Sequence, residues 1–199
     1  MALTKIDETV LYAIASTASN TIDEGSALDC STYYTGVVRI RMGRGSGTAF
    51  TVAPTIRLLW TAESGTPTAN QWGTLDEVVC RIGASIGSQA VSGTEAAGET
   101  TVTLAAGTNF AAKDLVFWHN GTLANSEWSN VQSVSGADLI ISEGLVSAQT
   151  GATARNQAQT WTLGPYDLRG VNKLRLQVDG AGSGQAVIVE AVIGGNTAE

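Results

Sequence analysis

Few residues in this chain are of the types that do chemistry. There is one histidine, His119, and there are two cysteines, Cys30 and Cys80. A lone imidazole could serve as a general base, but no local motif marks a serine or cysteine nucleophile beside it. His119 ends a β run next to Asn120-Gly121, the strongest hairpin-turn dipeptide in the chain, so the sequence predicts an exposed turn histidine. The cysteines form no CxxC pair and no zinc spacing. They read as two small buried thiols, with a single disulfide as the alternative. No metal, cofactor or catalytic residue is assigned.

Three patterns imitate functional motifs. Gly43-Arg44-Gly45-Ser46-Gly47 suggests a phosphate loop, but a dinucleotide fingerprint needs G-x-G-x-x-G between a strand and a helix. Here the third glycine comes one residue early and a β run follows, which predicts a tight or bulged hairpin turn. Asn120-Gly121-Thr122 matches a glycosylation acceptor and is incidental without a signal peptide. Trp60, Trp72, Trp118, Trp128 and Trp161 could stack on sugars, with carboxylates to cleave a glycosidic bond. Yet Trp60 shares a register with Ile56 and Leu58 and should lie in the core, while Trp118 and Trp128 should pack within a local meander. Trp72, in a Gly/Pro/Asn loop, is the best candidate for an exposed interface anchor or sugar platform.

Composition bounds the rest. The 199 residues are 43% hydrophobic and only 15% charged, against about 25% charged in an average soluble protein. So few surface charges suit a surface covered by neighbours. The net charge of −7 argues against a nucleic-acid phosphate partner and against anionic lipid. Arg39, Arg41 and Arg44 form the one local basic cluster. Asp7, Glu8 and Tyr12 interrupt the N-terminal apolar residues, so no signal-peptide h-region is expected, and no run reaches the length of a membrane span. The expectation is synthesis in the cytoplasm without secretion.

The elements that would position these residues are almost all β. Residues 1–35 read as an N-terminal arm, in which Ile6, Val10, Leu11 and Ile14 could line one face of a short helix. Thr35–Met42 alternates Val38, Ile40 and Met42 against Arg39 and Arg41, the pattern of a half-buried strand. Further strands are expected at Thr48–Val52, Thr55–Thr61 and Glu77–Ile82. A compact meander follows, with runs at Thr100–Leu104, Asp114–His119, Glu127–Val134 and Asp138–Ile141. Lys173–Val178 alternates, and Ala186–Ile193 is nearly all apolar, as in a strand buried on both faces. These last two are expected to pair as a hairpin.

Three stretches carry a family likeness. They are the strand–turn–strand TGVVRIRMGRGSGTAFTV, the unit ETTVTLAAGTNFAAKDLVFW…SEWSNVQSVSGADLIISEGL, and the closing PYDLRGVNKLRLQVDG…VIVEAVI. Together they resemble the Gly/Ala/Thr-rich structural proteins of tailed-bacteriophage virions, of the capsid decoration (cement) type. The meander's usual GF-x-x-GD turn stands here as Asn109-Phe110-Ala111-Ala112-Lys113-Asp114. The resemblance implies a virion component on the capsid surface, often a homotrimer, whose partner is the major capsid protein.

The combined expectation is an all-β protein: a jelly-roll-like β-sandwich from 36–94 and 152–199, an inserted small β-barrel or meander at 95–151, and the arm at 1–35. Its function would be non-enzymatic cementing of the capsid shell, without nucleic acid or membrane. Contact would run through Ile6, Val10, Leu11 and Tyr12, the pair Tyr33 and Tyr34, and the Trp72 loop. The alternative is a phage tail or fibre component or a carbohydrate-binding jelly-roll module, with a glycan hydrolase as a third reading.

Overall fold

The computed structural model describes residues 3–46, 48–81, 87–107, 109–156, 158–180 and 182–198, with the side chains of Leu3, Ile6 and Ala198 outside the description. Among these residues there are strands and two short 3-10 turns, with no α-helix. The chain begins with β1 (Leu3–Thr17), β2 (Ile22–Glu24), β3 (Leu28–Asp29), β4 (Tyr33–Arg44), β5 (Thr55–Thr61) and β6 (Gly73–Val79). It then builds a second body from β7 (Ser88–Ala90), β8 (Thr94–Glu95), β9 (Thr101–Thr103), β10 (Leu115–His119), β11 (Glu127–Ser135), β12 (Asp138–Ile141), β13 (Gln149–Thr150) and β14 (Thr153–Arg155). It returns for β15 (Gln159–Asp167), β16 (Lys173–Asp179) and β17 (Val187–Ala198).

The first and last groups of strands make a sandwich. One sheet runs β1-β17-β4-β15 and the other β2-β16-β5-β6, with β3 also on β16, and every pairing is antiparallel. Except at β2–β3 and the β5–β6 hairpin, each connection within the sandwich crosses from one sheet to the other, as in a jelly roll. The period-2 residues meet between the sheets: Val38, Ile40 and Met42 of β4 face Ile56 and Leu58 of β5 and Leu174, Leu176 and Val178 of β16 in one buried core. Fully burying side chains of this size contributes roughly 1.5–3 kcal/mol each.

Several expectations are corrected. No helix forms near the N-terminus; Ile6 to Ile14 belong to the 15-residue strand β1, paired along β17. Its register slips between Ile6 and Thr9, Val10 and Tyr12, and Tyr12 and Ala15. These bulges break the two-residue period and let adjacent Leu11 and Tyr12 both reach the core. The segment is therefore an edge strand of the sandwich, where a free arm was expected. Thr48–Val52 is not a strand; Phe50 plugs the core from a loop. Lys173–Val178 and Ala186–Ile193 do not pair, because the turn between them crosses the core and places β16 and β17 in opposite sheets. Ile82 and Gly47, at the ends of two expected motifs, lie outside the described residues, and the chain before Gly47 leaves β4 without forming a hairpin.

The second body is a curled six-stranded sheet, β7-β14-β10-β11-β12-β9. A bridge between Val91 and Leu104 joins its two ends, so the sheet closes on its own core of Val102, Val116, Trp118, Leu139 and Ile141. Its strands extend from Ser88 to Arg155. The hairpin at Gly136 is tight, with Ser135 opposite Asp138. The link after Asn120-Gly121 is longer and holds the 3-10 turn Leu123–Asn125.

Candidate functional site

The residues singled out in the sequence fall in three places. Val10, Leu11 and Tyr12 lie on the outermost strand of one sheet. Beside them, on the open side of the sandwich, runs the edge of the other sheet at β2 and β3. Between the two edges is a groove of about 400 Å³, walled by residues 10–13 and Ala15 on one side and 23–28 on the other. Leu11 and Tyr12 are 4% exposed and belong to the floor, whereas Val10 is 58% exposed and Ile22, on β2, 56%. The Tyr12 hydroxyl donates to the Asp23 carboxylate across the groove. Burial first, and then this acceptor, push the phenol pKa above its ordinary value. Gly25 is required opposite: a Cβ there would stand 2.6 Å from the Tyr12 ring. Ile6 lies in β1 opposite Gly195.

Charge is distributed unevenly along this edge. The first half of β1 carries Lys5, Asp7 and Glu8, all exposed. Charges are one way that natural proteins blunt a free strand edge. The second half, Val10-Leu11-Tyr12-Ala13-Ile14-Ala15, has none. β1 pairs with β17 on one side only.

Tyr33 and Tyr34 diverge. Thr197 of β17 pairs with Tyr33 and Asn196 with Thr35, so Tyr34 is the extra residue of a bulge. Tyr33 packs against the core and its hydroxyl donates to Thr9 of β1 at 3.5 Å. Tyr34 takes the Arg169 guanidinium over its ring at 5.1 Å. Trp72 is half-buried, with the Arg175 guanidinium 4.2 Å from its ring centre. Arg175 in turn pairs with Glu24 of β2 at 2.7 Å. Trp72 is thus tied through Arg175 to the lip of the groove, where the sequence suggested an isolated loop contact.

The remaining candidates resolve as packing. Arg39 pairs with Glu8 at 2.7 Å, Arg41 lies 3.8 Å from Glu190, and Arg44 is buried with its guanidinium over Phe50. Two of the three are thus matched by acids and the third is out of solvent, so the cluster forms no basic patch. His119 is half-buried: its ring stacks on Phe117 and its Nδ1 shares a hydrogen bond with Ser126 Oγ at 2.7 Å. Burial, then Arg155, hold its pKa below the ordinary value. Cys30 and Cys80 are free and buried, and burial pushes both thiols up to about 12. Among the described residues no group of three or more His, Cys, Asp or Glu could hold a metal ion, and no helix is long and apolar enough to cross a membrane.

No pattern along the chain marks a second concavity, between the sandwich and the inserted body. Trp118 lies in the barrel core, but Trp128 points the other way and tilts against Phe117, ring centres 4.9 Å apart. Phe117 sits on the outer face of the sandwich at Gly43, where a Cβ would come within 2.5 Å of its ring. This contact carries the insert on β4 and leaves a cleft beside it of about 380 Å³. No protein-family model matches the chain, and no curated protein matches it as a relative.

Proposed function

We propose that this chain is a non-enzymatic structural protein of a bacteriophage virion that decorates and cements the shell of major capsid protein. One observation carries the reading: the uncharged edge Val10–Ala15, with Val10 exposed, beside a groove whose other wall carries Asp23, Glu24 and Ser26 and is preceded on β2 by exposed Ile22. An open edge of that kind is a template for an added strand from another chain. The sequence likeness to decoration proteins supplies the partner. Burial of a small apolar area at each of many equivalent positions multiplies a modest gain at about 25 cal/mol per Å². On this reading the protein sits on the capsid surface as a homotrimer, touching neither nucleic acid nor membrane.

The test is co-sedimentation of the purified protein with empty shells of major capsid protein. Val10→Asp and Ile22→Asp should each weaken binding about tenfold or more, a change of about 1.4 kcal/mol, while leaving the thermal midpoint nearly unchanged. Wild-type protein that ignores the shells rejects the proposal, and a species that stays monomeric at every concentration rejects the trimer. The cleft under Trp128 favours the second reading, a saccharide-binding module of a tail or fibre. Glycan binding without shell binding would select it.

A further inference from the structure

The joint between insert and sandwich is built on one row of side chains. Arg155 of β14, Phe117 of β10 and Trp128 of β11 stand opposite one another in register, so all three leave the same face of the curled sheet. That face meets β4: Phe117 lies on Gly43, and Arg155 Nη1 donates to Arg44 O at 3.0 Å. His119, two residues beyond Phe117, points the same way and stacks on it, ring centres 5.8 Å apart. The one imidazole of the chain is thus part of the joint.

Positive charge is already in excess there. Arg44 is 1% exposed and Arg155 is half-buried. Arg44 Nε and Nη2 and Arg155 Nε have no acceptor. Among the described residues neither guanidinium is in an ion pair, and neither is His119. The acids on the surrounding elements are engaged elsewhere. Glu127 of β11 accepts from Val146 N, Ser147 N and Gln149 Nε2. Glu190 of β17 faces Arg41 at 3.8 Å. The turn Leu123–Asn125 lies against β1, whose charged residues Lys5, Asp7 and Glu8 are all in its first half, with Glu8 on Arg39. Burial keeps the Cys80 thiol, near Arg44, protonated. A further cation in this joint would have no anion to meet it.

Hydrogen bonds fix where a proton would go. Ser126 Oγ donates to Thr122 O at 3.1 Å, so it accepts from His119 at 2.7 Å, and the neutral ring carries its hydrogen on Nδ1. Acid therefore adds the second proton at Nε2. Phe117 offers that cation some attraction through its ring. Burial first, then Arg155, oppose the charge more strongly and hold the pKa below its ordinary value. A ring freed from the joint titrates near the ordinary value of about 6.5. The undocked state therefore takes up the proton first, and falling pH favours undocking from about 6.5 downward until the docked ring is protonated too. We propose that His119 is an acid-sensitive latch, whose protonation beside Arg155 loosens the seat of the insert on β4. The stems at Gly87 and Asn156 stay tied to each other and serve as the hinge. The device is separate from the β1 edge and stands or falls independently of shell binding.

The experiment uses the full chain labelled with ¹⁵N at tryptophan and histidine. Trp128 Nε1 is buried beside Phe117 without an acceptor and reports on the joint. Trp118 Nε1 donates to Ser129 Oγ at 3.0 Å inside the barrel and is the control. Hydrogen exchange of both indoles is followed from about pH 8 to about pH 5 and divided by the rate of a free indole at each pH. Protection of Trp128 should fall several-fold below about pH 6.5, while that of Trp118 stays level. His119→Gln, neutral throughout and still able to donate to Ser126, should abolish the fall. Arg155→Gln, which keeps a donor for Arg44 O, should raise the titration midpoint of His119 and shrink the fall. Protection of Trp128 that ignores pH overturns the proposal, as does the same fall in His119→Gln. Loss of protection at both indoles together means that the barrel unfolds, and overturns the latch. A wild-type His119 midpoint at or above about 6.5 overturns it even if the variants fail to fold.

Discussion

At the scale of single residues, conformation and burial outrank chemistry. Asn109 and Lys113 have φ of 73° and 76°. These are the two positions where the resembled meander carries glycine, so the left-handed turn persists without the residue that makes it cheap. The Lys113 N–H must stay in place because it donates to Val131 O at 2.8 Å. Lys113→Gly should therefore raise stability by about 0.5–1 kcal/mol, the relief of left-handed strain less the backbone entropy of glycine. Lys113→Ala should bring no such gain; chemical denaturation of the two variants checks both. The thiols give a second prediction. With Cys30 and Cys80 pushed up to about 12 by burial against about 8.5 in an unfolded chain, the native state keeps its protons longer than the unfolded one. Their contribution is complete below about pH 8.5 and falls as pH rises toward 12, by up to about 1.4 kcal/mol per pH unit per thiol. Denaturant melts between pH 8 and 11 should show this decline. A thiol reagent at pH 8 should label neither cysteine until the protein unfolds.

At the scale of elements, legibility depended on regular alternation. β16 keeps a strict period of two and β4 keeps it from Val38 to Met42, so both can be read directly, whereas in β5 the alternation of Ile56 and Leu58 ends at a bulge that buries adjacent Leu59. β1 could not, because its three bulges put Leu11 and Tyr12 side by side on the inner face and leave Val10 outside. The resulting spacing of Ile6, Val10 and Ile14 imitates a helix. β16 and β17 were each recognisable as strands, but a glycine-rich turn does not reveal whether it stays in a sheet or arches over a core. The groove is half legible: Val10, Leu11 and Tyr12 stand out as apolar and aromatic candidates, but Asp23 and Glu24 of the facing wall come from a short strand with no pattern of its own. The cleft was not legible, since Arg39 and Trp128 come to line one space only when Phe117 docks at Gly43. Because Leu11 is 4% exposed in the common core, Leu11→Ala should cost about 2–5 kcal/mol. Deleting residues 2–15 should lower the thermal midpoint sharply, the reverse of what a dangling arm would do. Calorimetry of both variants decides it.

At the scale of the whole molecule, the insert is an appendage on closely spaced stems. Asn156 N donates to Gly87 O at 3.0 Å, and Gly87 N donates to Asn156 Oδ1 at 2.8 Å, so the chain leaves and re-enters the sandwich at nearly one point. Replacing 88–155 by a short Gly/Ser linker should therefore give a cooperatively melting sandwich, since closing so short a gap costs little. Its midpoint should be lower than that of the intact chain, because Ile188, 2% exposed on β17, loses its cover along with the Phe117 contact at Gly43. A molten product by near-ultraviolet circular dichroism would show that the sandwich depends on the insert.

The central place of β17 has a consequence for biogenesis. It is the last strand of the sandwich to be made, yet it lies between β1, the first, and β4. While the chain is being synthesised, β1 and β4 have no strand between them and the apolar faces of the first sheet stay uncovered. The barrel, whose strands all lie between Ser88 and Arg155, can close earlier. Folding of the sandwich must therefore follow translation of its last dozen residues, through contacts of the longest sequence separation and hence slowly. Nascent chains stalled before Val187 should contain a protease-resistant barrel and a sandwich that chaperones still recognise as unfolded.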